Sequence, residues 1–198
     1  MSKKNKPYQT LQPEEIQLYI DSIWQYYRSL EDDYTSIGSD NLQKKISLTK
    51  LLIVICSEVE VMLKTICQTY EPTYFGENIV ELREKIDEMV INGEWDAIDR
   101  DVVLTSSNKH YRPWKGYDDP NYTIDWWTKY NKLKHHRSSL AKSGTTFFDS
   151  VSIEDVINAL AALFVLEIEY MEYMSGYAND CPADIRVQCE SMLFKTDL

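Results

Sequence analysis

Apolar residues recur every three or four positions along most of this chain, a spacing that is typical of amphipathic helices. Four stretches carry the pattern, at residues 13–30, about 42–69, about 78–92 and about 150–175. Pro13 suits the first turn of a helix, and Pro72 and Gly76 mark the end of the longest one. Asp149 or Ser150 is expected to cap the last helix.

A fifth helix is predicted from Asp125 to about Leu140. The stretch before it, about 99–122, has no regular period. It contains the run Val102–Leu104, which is typical of a short strand, and Trp114, which predicts packing against the body. Together these patterns predict an all-α, up-down bundle of about five helices with one long irregular excursion.

The length of 198 residues fits one domain with a hydrophobic core of its own. Residues 1–12 are expected to form a flexible tail, 13–175 the single helical domain and 176–198 a C-terminal extension. The apolar stretch Val156–Met174 is interrupted by one Asn and three Glu residues. It is therefore interpreted as a core helix, buried centrally or partly against a second copy, and not as a membrane span. No signal peptide is recognised, and a cytoplasmic protein is expected.

The formal net charge of −11 disfavours general adhesion to nucleic acid or to an anionic membrane. The charge is unevenly distributed, however. Residues 109–142 hold eight basic and three acidic residues, a net of +5 that leaves −16 for the remainder. This basic stretch favours a local contact with RNA, and the alternative interpretation is a solvated helix face.

Cysteine and histidine spacing predicts no metal site and no cofactor. Cys56 and Cys67 lie on one predicted helix, about 16 Å apart along its axis, so they cannot form a disulfide with each other. His135 and His136 are adjacent on a helix and point about 100° apart, so they cannot chelate one ion together. No Cys-x-x-Cys pair, catalytic triad or Gly-rich phosphate loop is present. Reduced, buried thiols are expected.

The stretch WWTKYNKLKHHR, from Trp126 to Arg137, concentrates aromatic and basic residues on the fifth helix. At 100° per residue, the core side is formed by Trp126, Trp127, Tyr130 and Leu133. Asn131 and His135 lie one turn apart at the boundary between core and solvent. The solvent side carries Lys129, Lys132 and His136. Arg137 and Tyr130 point inward and need partners, and Glu58, at the edge of the second helix's apolar stripe, is the expected partner of Arg137 or Lys134.

His135 with Asn131 has the properties of a general acid/base whose tautomer is set by a neighbouring amide. Cleavage of RNA without metal needs such a base for the 2′-OH and a cation for the charge that develops on phosphorus. The candidate catalytic residues are thus Asn131 and His135. The candidate phosphate-binding residues are Lys129, Lys134, His136 and Arg137. The alternative interpretation is a surface histidine on a solvated basic helix.

Three segments together resemble the bacterial members of the HEPN superfamily. They are SEVEVMLK (Ser57–Lys64), WWTKYNKLKHHR and INALAALFVL (Ile157–Leu166), and the resemblance covers about residues 42–175. It implies a helical bundle, frequent homodimerisation and a role in phage defence, toxin–antitoxin systems or RNA processing. Active members are metal-independent endoribonucleases with an Arg, a polar residue and then a His. Asn131 matches the polar position and His135, or else His136, matches the His, but Tyr130 occupies the place of the Arg.

Two functions follow as expectations. The first is an RNA-directed protein of a bacterial defence or toxin–antitoxin system, acting as a metal-independent endoribonuclease if it is catalytic. The second is a non-catalytic helical module in which the apolar face of the last helix binds a second copy or a protein partner, such as an antitoxin or defence component. In that case Tyr130, Arg137 and the Trp pair have a structural role.

Overall fold

The computed structural model describes residues 13–76, 79–92, 100–117, 123–136, 150–175 and 191–196. These residues form five helices, which confirms the predicted helical bundle: α1 (Pro13–Thr35), α2 (Asn41–Tyr70), α3 (Ile79–Ile91), α4 (Asp125–His136) and α5 (Ile153–Ser175). The predicted tail 1–12 and residues 176–190 of the predicted extension lie outside the described residues. None of the helices in the described ranges is both long and apolar enough to cross a bilayer.

Helix α5 lies at the centre of the bundle and packs against α1, α2 and α4. Every side chain from Asp155 to Met171 is buried except the half-buried Asn158. The sequence left open whether this apolar helix is covered by its own chain or partly by a second copy. In the structure α5 is covered by its own chain, because the neighbouring helices α1, α2 and α4 pack on its apolar surface. The side chains of α5 from Asp155 to Met171 are therefore covered within one chain, and the expected dimer or protein partner stays a prediction.

The start of α5 differs from the predicted cap at Asp149 or Ser150. Ser152 caps the helix, since its hydroxyl accepts from the Asp155 backbone N–H at 3.3 Å and its own N–H donates to the Asp155 carboxylate at 2.7 Å. This reciprocal pair is a capping box with Asp at its third position. Asp149 lies outside the described residues. The cap is Ser152 because Asp155 lies three residues later and completes the capping box. Neither Asp149 nor Ser150 has an acidic residue at that spacing.

The long excursion contributes two strands to a small antiparallel sheet beside the bundle. Its strands are β1 (Val102–Leu104), β2 (Lys109–Tyr111) and β3 (Phe194–Thr196), in the order β2-β1-β3. The expected strand at 102–104 is confirmed. The turn between β1 and β2 places Asn108 at a φ of 53°, a left-handed conformation that Asn tolerates better than most residues. β3 belongs to the predicted C-terminal extension, so the end of that extension is part of the folded body.

The excursion is fastened to the bundle by indole hydrogen bonds. Trp114, which is 2% exposed, donates to the carbonyl of Ala162 on α5 at 3.1 Å. Trp126 of α4 donates to the carbonyl of Pro113 at 3.2 Å. Each bond satisfies a buried donor. The excursion therefore positions α4 against the bundle.

Candidate functional site on α4

The core side of α4 is as the helical spacing predicts. Trp126, Trp127, Tyr130 and Leu133 are all buried. Four aromatic rings form a continuous row in which each ring contacts the next edge to face, with centroids 5.3–5.6 Å apart; in order, they are Trp114, Trp126, Trp127 and Tyr130. Such packing fixes the rotation of α4 about its axis. The direction of each polar side chain on the opposite side follows from that rotation.

Tyr130, which occupies the place of the family's Arg, lies in the interior. Its side chain is 2% exposed, and its hydroxyl lies 3.4 Å from the Ser57 hydroxyl on α2. The predicted structural role of Tyr130 agrees with this burial. A phenol in this position joins α4 to α2 and presents no positive charge to solvent.

Asn131 and His135 lie on the outer side of α4, one turn apart. Asn131 is half-buried and His135 is exposed. His135 takes part in an interaction within the protein. His135 is thus open to solvent and Asn131 partly so, and access to substrate is one requirement of a general acid/base.

Lys129 is bound to the neighbouring helix. Its ammonium donates to both carboxylate oxygens of Asp155 on α5, at 2.8 and 2.7 Å. The Asp155 side chain is 8% exposed and also accepts the Ser152 hydroxyl at 2.6 Å. Because its charge is neutralised by this carboxylate, Lys129 is poorly placed to hold a phosphate. The helical spacing put Lys129 on the solvent side and gave no sign of Asp155.

Lys134 has a partner on α2 that differs from the expected one. Its ammonium lies 3.3 Å from a carboxylate oxygen of Glu60 and 5.4 Å from the centre of the Tyr130 ring. Partial burial lowers the pKa of Lys134, but the hydrogen bonds and charges of Glu60 and Tyr130 together raise it above its ordinary value. The prediction that Glu58 pairs with Lys134 is wrong. Glu60 points toward α4 because of the way in which α2 and α4 are rotated against each other.

Glu58 instead contacts α1. It accepts a hydrogen bond from the Tyr26 hydroxyl at 3.4 Å. Burial and the nearby Glu58 charge raise the pKa of Tyr26. Arg137, the other expected partner of Glu58, lies outside the described residues. His136 closes α4, and its side chain lies outside the description too.

An open pocket of about 470 Å³ lies away from α4, at the end of α2 and along α3. Its lining includes Glu71, Glu81, Glu84 and Glu88, with Lys85 among them, and none of the predicted site residues. Lys85 binds Glu71 and Glu88 at 2.7 and 2.8 Å, and these bonds raise its pKa. Within the described ranges, no group of three or more His, Cys, Asp or Glu side chains is placed to hold a metal ion.

Comparison of the chain with family models, with curated proteins and with solved structures finds no match. The class that the described residues define is a helical bundle with a small antiparallel sheet. The resemblance to the HEPN superfamily remains an expectation that rests on the three sequence segments.

Proposed function

We propose that this protein is an RNA-directed domain of the HEPN type that contacts RNA through the outer side of α4. The observation that carries the proposal is the accessibility of His135 and Asn131, one turn apart on the helix that belongs to the basic stretch. The proposed setting is a bacterial defence or toxin–antitoxin system in the cytoplasm, with RNA as the ligand and an antitoxin or defence component as a further partner.

In the catalytic form of the proposal, His135 removes the proton from a ribose 2′-OH and Asn131 orients the imidazole. The cation near the phosphate is Lys134, whose side chain is 45% exposed beside Glu60. Lys129 does not take this role, because it is held by Asp155. Lys134 contacts a phosphate as a point charge and not as the bidentate group that an Arg provides. Slow cleavage is therefore expected.

The test separates binding from cleavage. Labelled single-stranded RNA and tRNA are incubated with the protein in EDTA, and fluorescence anisotropy is measured over a salt series. Binding that weakens with salt is expected, with a slope of about −0.7 for each phosphate contacted. Lys134→Ala should reduce that slope by the contribution of about one contact. Absence of binding at low salt and micromolar protein would reject the proposal.

Cleavage is tested with His135→Gln. This variant should lose any cleavage by about a hundredfold or more while it retains binding within a few-fold. His110→Gln is the matched control, because His110 is an exposed histidine on β2. Equal cleavage by His135→Gln and wild type would remove His135 from the mechanism. RNA binding without cleavage would retain the RNA-directed function and exclude the endoribonuclease.

A further inference from the structure

Residues 191–196 dock on the body in the manner of a bound peptide. β3 pairs with β1 in an antiparallel register that places Phe194 opposite Leu104 and Lys195 opposite Val103. The backbone N–H of Thr105, just after β1, donates to the carbonyl of Leu193 at 2.7 Å. Strand addition of this kind lets main-chain bonds supply affinity and side-chain pockets supply specificity.

The first anchor of this segment is the carboxylate of Glu31 on α1. Glu31 is fully buried, and it accepts the hydroxyl of Ser191. The backbone N–H groups of Met192 and Leu193 donate to it at 3.3 and 3.4 Å. The Ser191 hydroxyl also accepts from the Phe194 N–H at 2.7 Å, which fixes the bend before the strand. A buried carboxylate that collects three donors from one segment is a specific receptor for it.

The second anchor is the ring of Phe194, which is fully buried. It lies 5.9 Å from the Phe164 ring of α5 and 6.4 Å from the Tyr111 ring of β2. The receptor therefore combines α1, the sheet and α5. Each of its groups belongs to a part of the chain that is remote in sequence from residues 191–196.

Fifteen residues separate the end of α5 at Ser175 from Ser191. A chain of that length spans at most about 50 Å when it is fully extended. Residues 191–196 are recognised through their own side chains and are joined to the body by this length of chain. The same segment of a second copy can therefore compete for the groove. The same residues of another copy carry the same hydroxyl, ring and strand.

We propose that the groove between Glu31, β1 and Phe164 accepts the C-terminal strand of a second copy of this chain, which gives a strand-exchanged dimer. Reciprocal exchange fills both grooves and retains every contact of the closed monomer. The chain's own strand has the advantage of being covalently joined to its groove, so exchange is expected at high protein concentration and after partial unfolding. This dimer uses neither α5 nor the RNA-contacting side of α4, and it stands independently of the proposed function.

The test uses a disulfide between the paired positions Val103 and Lys195. Opposite residues of antiparallel strands have the separation that a disulfide requires. Two full-length variants, Val103→Cys and Lys195→Cys, are prepared with Cys181 and Cys189 replaced by Ser. They are mixed at about 1 mM, so that the strand of a second copy competes with the strand of the same chain. The mixture is partly unfolded, refolded and oxidised. The expected result is a covalent dimer that forms only when both variants are present.

Two controls make the outcome decisive. The double variant Val103→Cys/Lys195→Cys, oxidised at low concentration, should form the bond within one chain, and failure to do so would overturn the pairing itself. Glu31→Ala in the Val103→Cys partner weakens the groove in the closed monomer and in the dimer alike. It should therefore speed formation of the covalent dimer several-fold without changing its final amount, whereas Glu84→Ala on the exposed side of α3 should change neither. An intrachain bond in the double variant with no dimer in the mixture would overturn the exchange.

Light scattering of the wild-type chain provides a second measurement if Val103→Cys does not fold. Wild-type protein refolded at high concentration should contain dimer. Phe194→Leu, which loses the ring in monomer and dimer alike, should contain a similar share of dimer but return to monomer faster on dilution. A wild type that stays monomeric after this treatment would contradict the proposal.

Discussion

The ammonium of Lys129 binds both oxygens of the Asp155 carboxylate, at 2.8 and 2.7 Å, and so ties α4 to the first turn of α5. The same carboxylate accepts the Ser152 N–H and hydroxyl at the start of α5. One buried side chain thus caps a helix and joins it to its neighbour. The arrangement assigns Lys129 a structural role. The proposed RNA contact is then left to described residues farther along α4.

Lys129→Met is expected to lower the free energy of unfolding by about 1–3 kcal/mol, because it leaves the buried Asp155 carboxylate without its cation. Urea unfolding followed by circular dichroism measures the change. Lys132→Met is the matched control: Lys132 is an exposed residue of the same helix and should change stability by less than about 0.5 kcal/mol. Equal effects of the two substitutions would contradict the structural role of Lys129.

Ser152→Ala is expected to destabilise the protein by about 1 kcal/mol through loss of the cap of α5. Ser152→Thr retains a hydroxyl acceptor and should lose only a few tenths of that amount. The measurement is again the free energy of unfolding in urea. If Ser152→Ala had no effect, the reciprocal bonds between Ser152 and Asp155 would not contribute to the stability of the fold.

Glu167 gives a prediction about pH. Its side chain is 2% exposed, and its Oε2 has no hydrogen-bond partner among the described residues. Burial raises its pKa well above the ordinary 4.5, and the carboxylates of Glu58 and Glu31 add to the effect. Tyr27, fully buried nearby, also has a raised pKa, because of burial and the charges of Glu31 and Glu167. The folded protein therefore holds the Glu167 proton more tightly than the unfolded chain does.

Because of this difference, the contribution of Glu167 to stability is greatest below pH 4.5 and falls as pH rises above that value. Glu167→Gln removes the ionisation. Its stability relative to wild type is expected to increase by about 1–3 kcal/mol between about pH 4.5 and about pH 7. Urea unfolding at several pH values tests this. Glu84→Gln, on the exposed side of α3, is the control and should follow wild type. Parallel curves for Glu167→Gln and wild type would contradict the prediction.

Phe194→Ala is expected to lower the free energy of unfolding by about 3 kcal/mol or more, since it leaves a cavity between Phe164 and Tyr111. Met192→Ala, two residues earlier and 51% exposed, should change it by less than about 0.5 kcal/mol. A single cooperative transition that shifts only for Phe194→Ala would show that the end of the chain folds with the bundle. No shift would mean that β3 contributes little to the folded body.

The thiols of Cys56 and Cys67 are expected to be unreactive in the native protein. Both are free and fully buried, and burial raises the pKa of Cys67 to about 12 and that of Cys56 well above 9.0. Cys181 and Cys189 are replaced by Ser so that only Cys56 and Cys67 can react. Near pH 8, alkylation of these two thiols in the native protein should be at least about a thousandfold slower than in protein unfolded by guanidinium. Rapid labelling of the native protein would show that α2 opens locally.

The positions of the helices and the core side of α4 could be predicted because both depend on local sequence. Helical spacing places Trp127, Tyr130 and Leu133 on one side whatever lies opposite, and it leaves Asn131 and His135 near solvent. The two candidate site residues were thus located on the correct side of the helix. The partner of Lys134 was not predicted, since Glu58 was expected and Glu60 makes the contact.

By itself the sequence determined five helices, the strand at 102–104 and the buried side of α4, because periodicity acts over a few residues. Only the tertiary structure decided that Lys129 meets Asp155, that α5 is enclosed by its own chain and that Phe194 reaches the core beside β1. These contacts join residues that are remote along the chain. They depend on how helices are rotated and how strands pair, which spacing within one element does not specify.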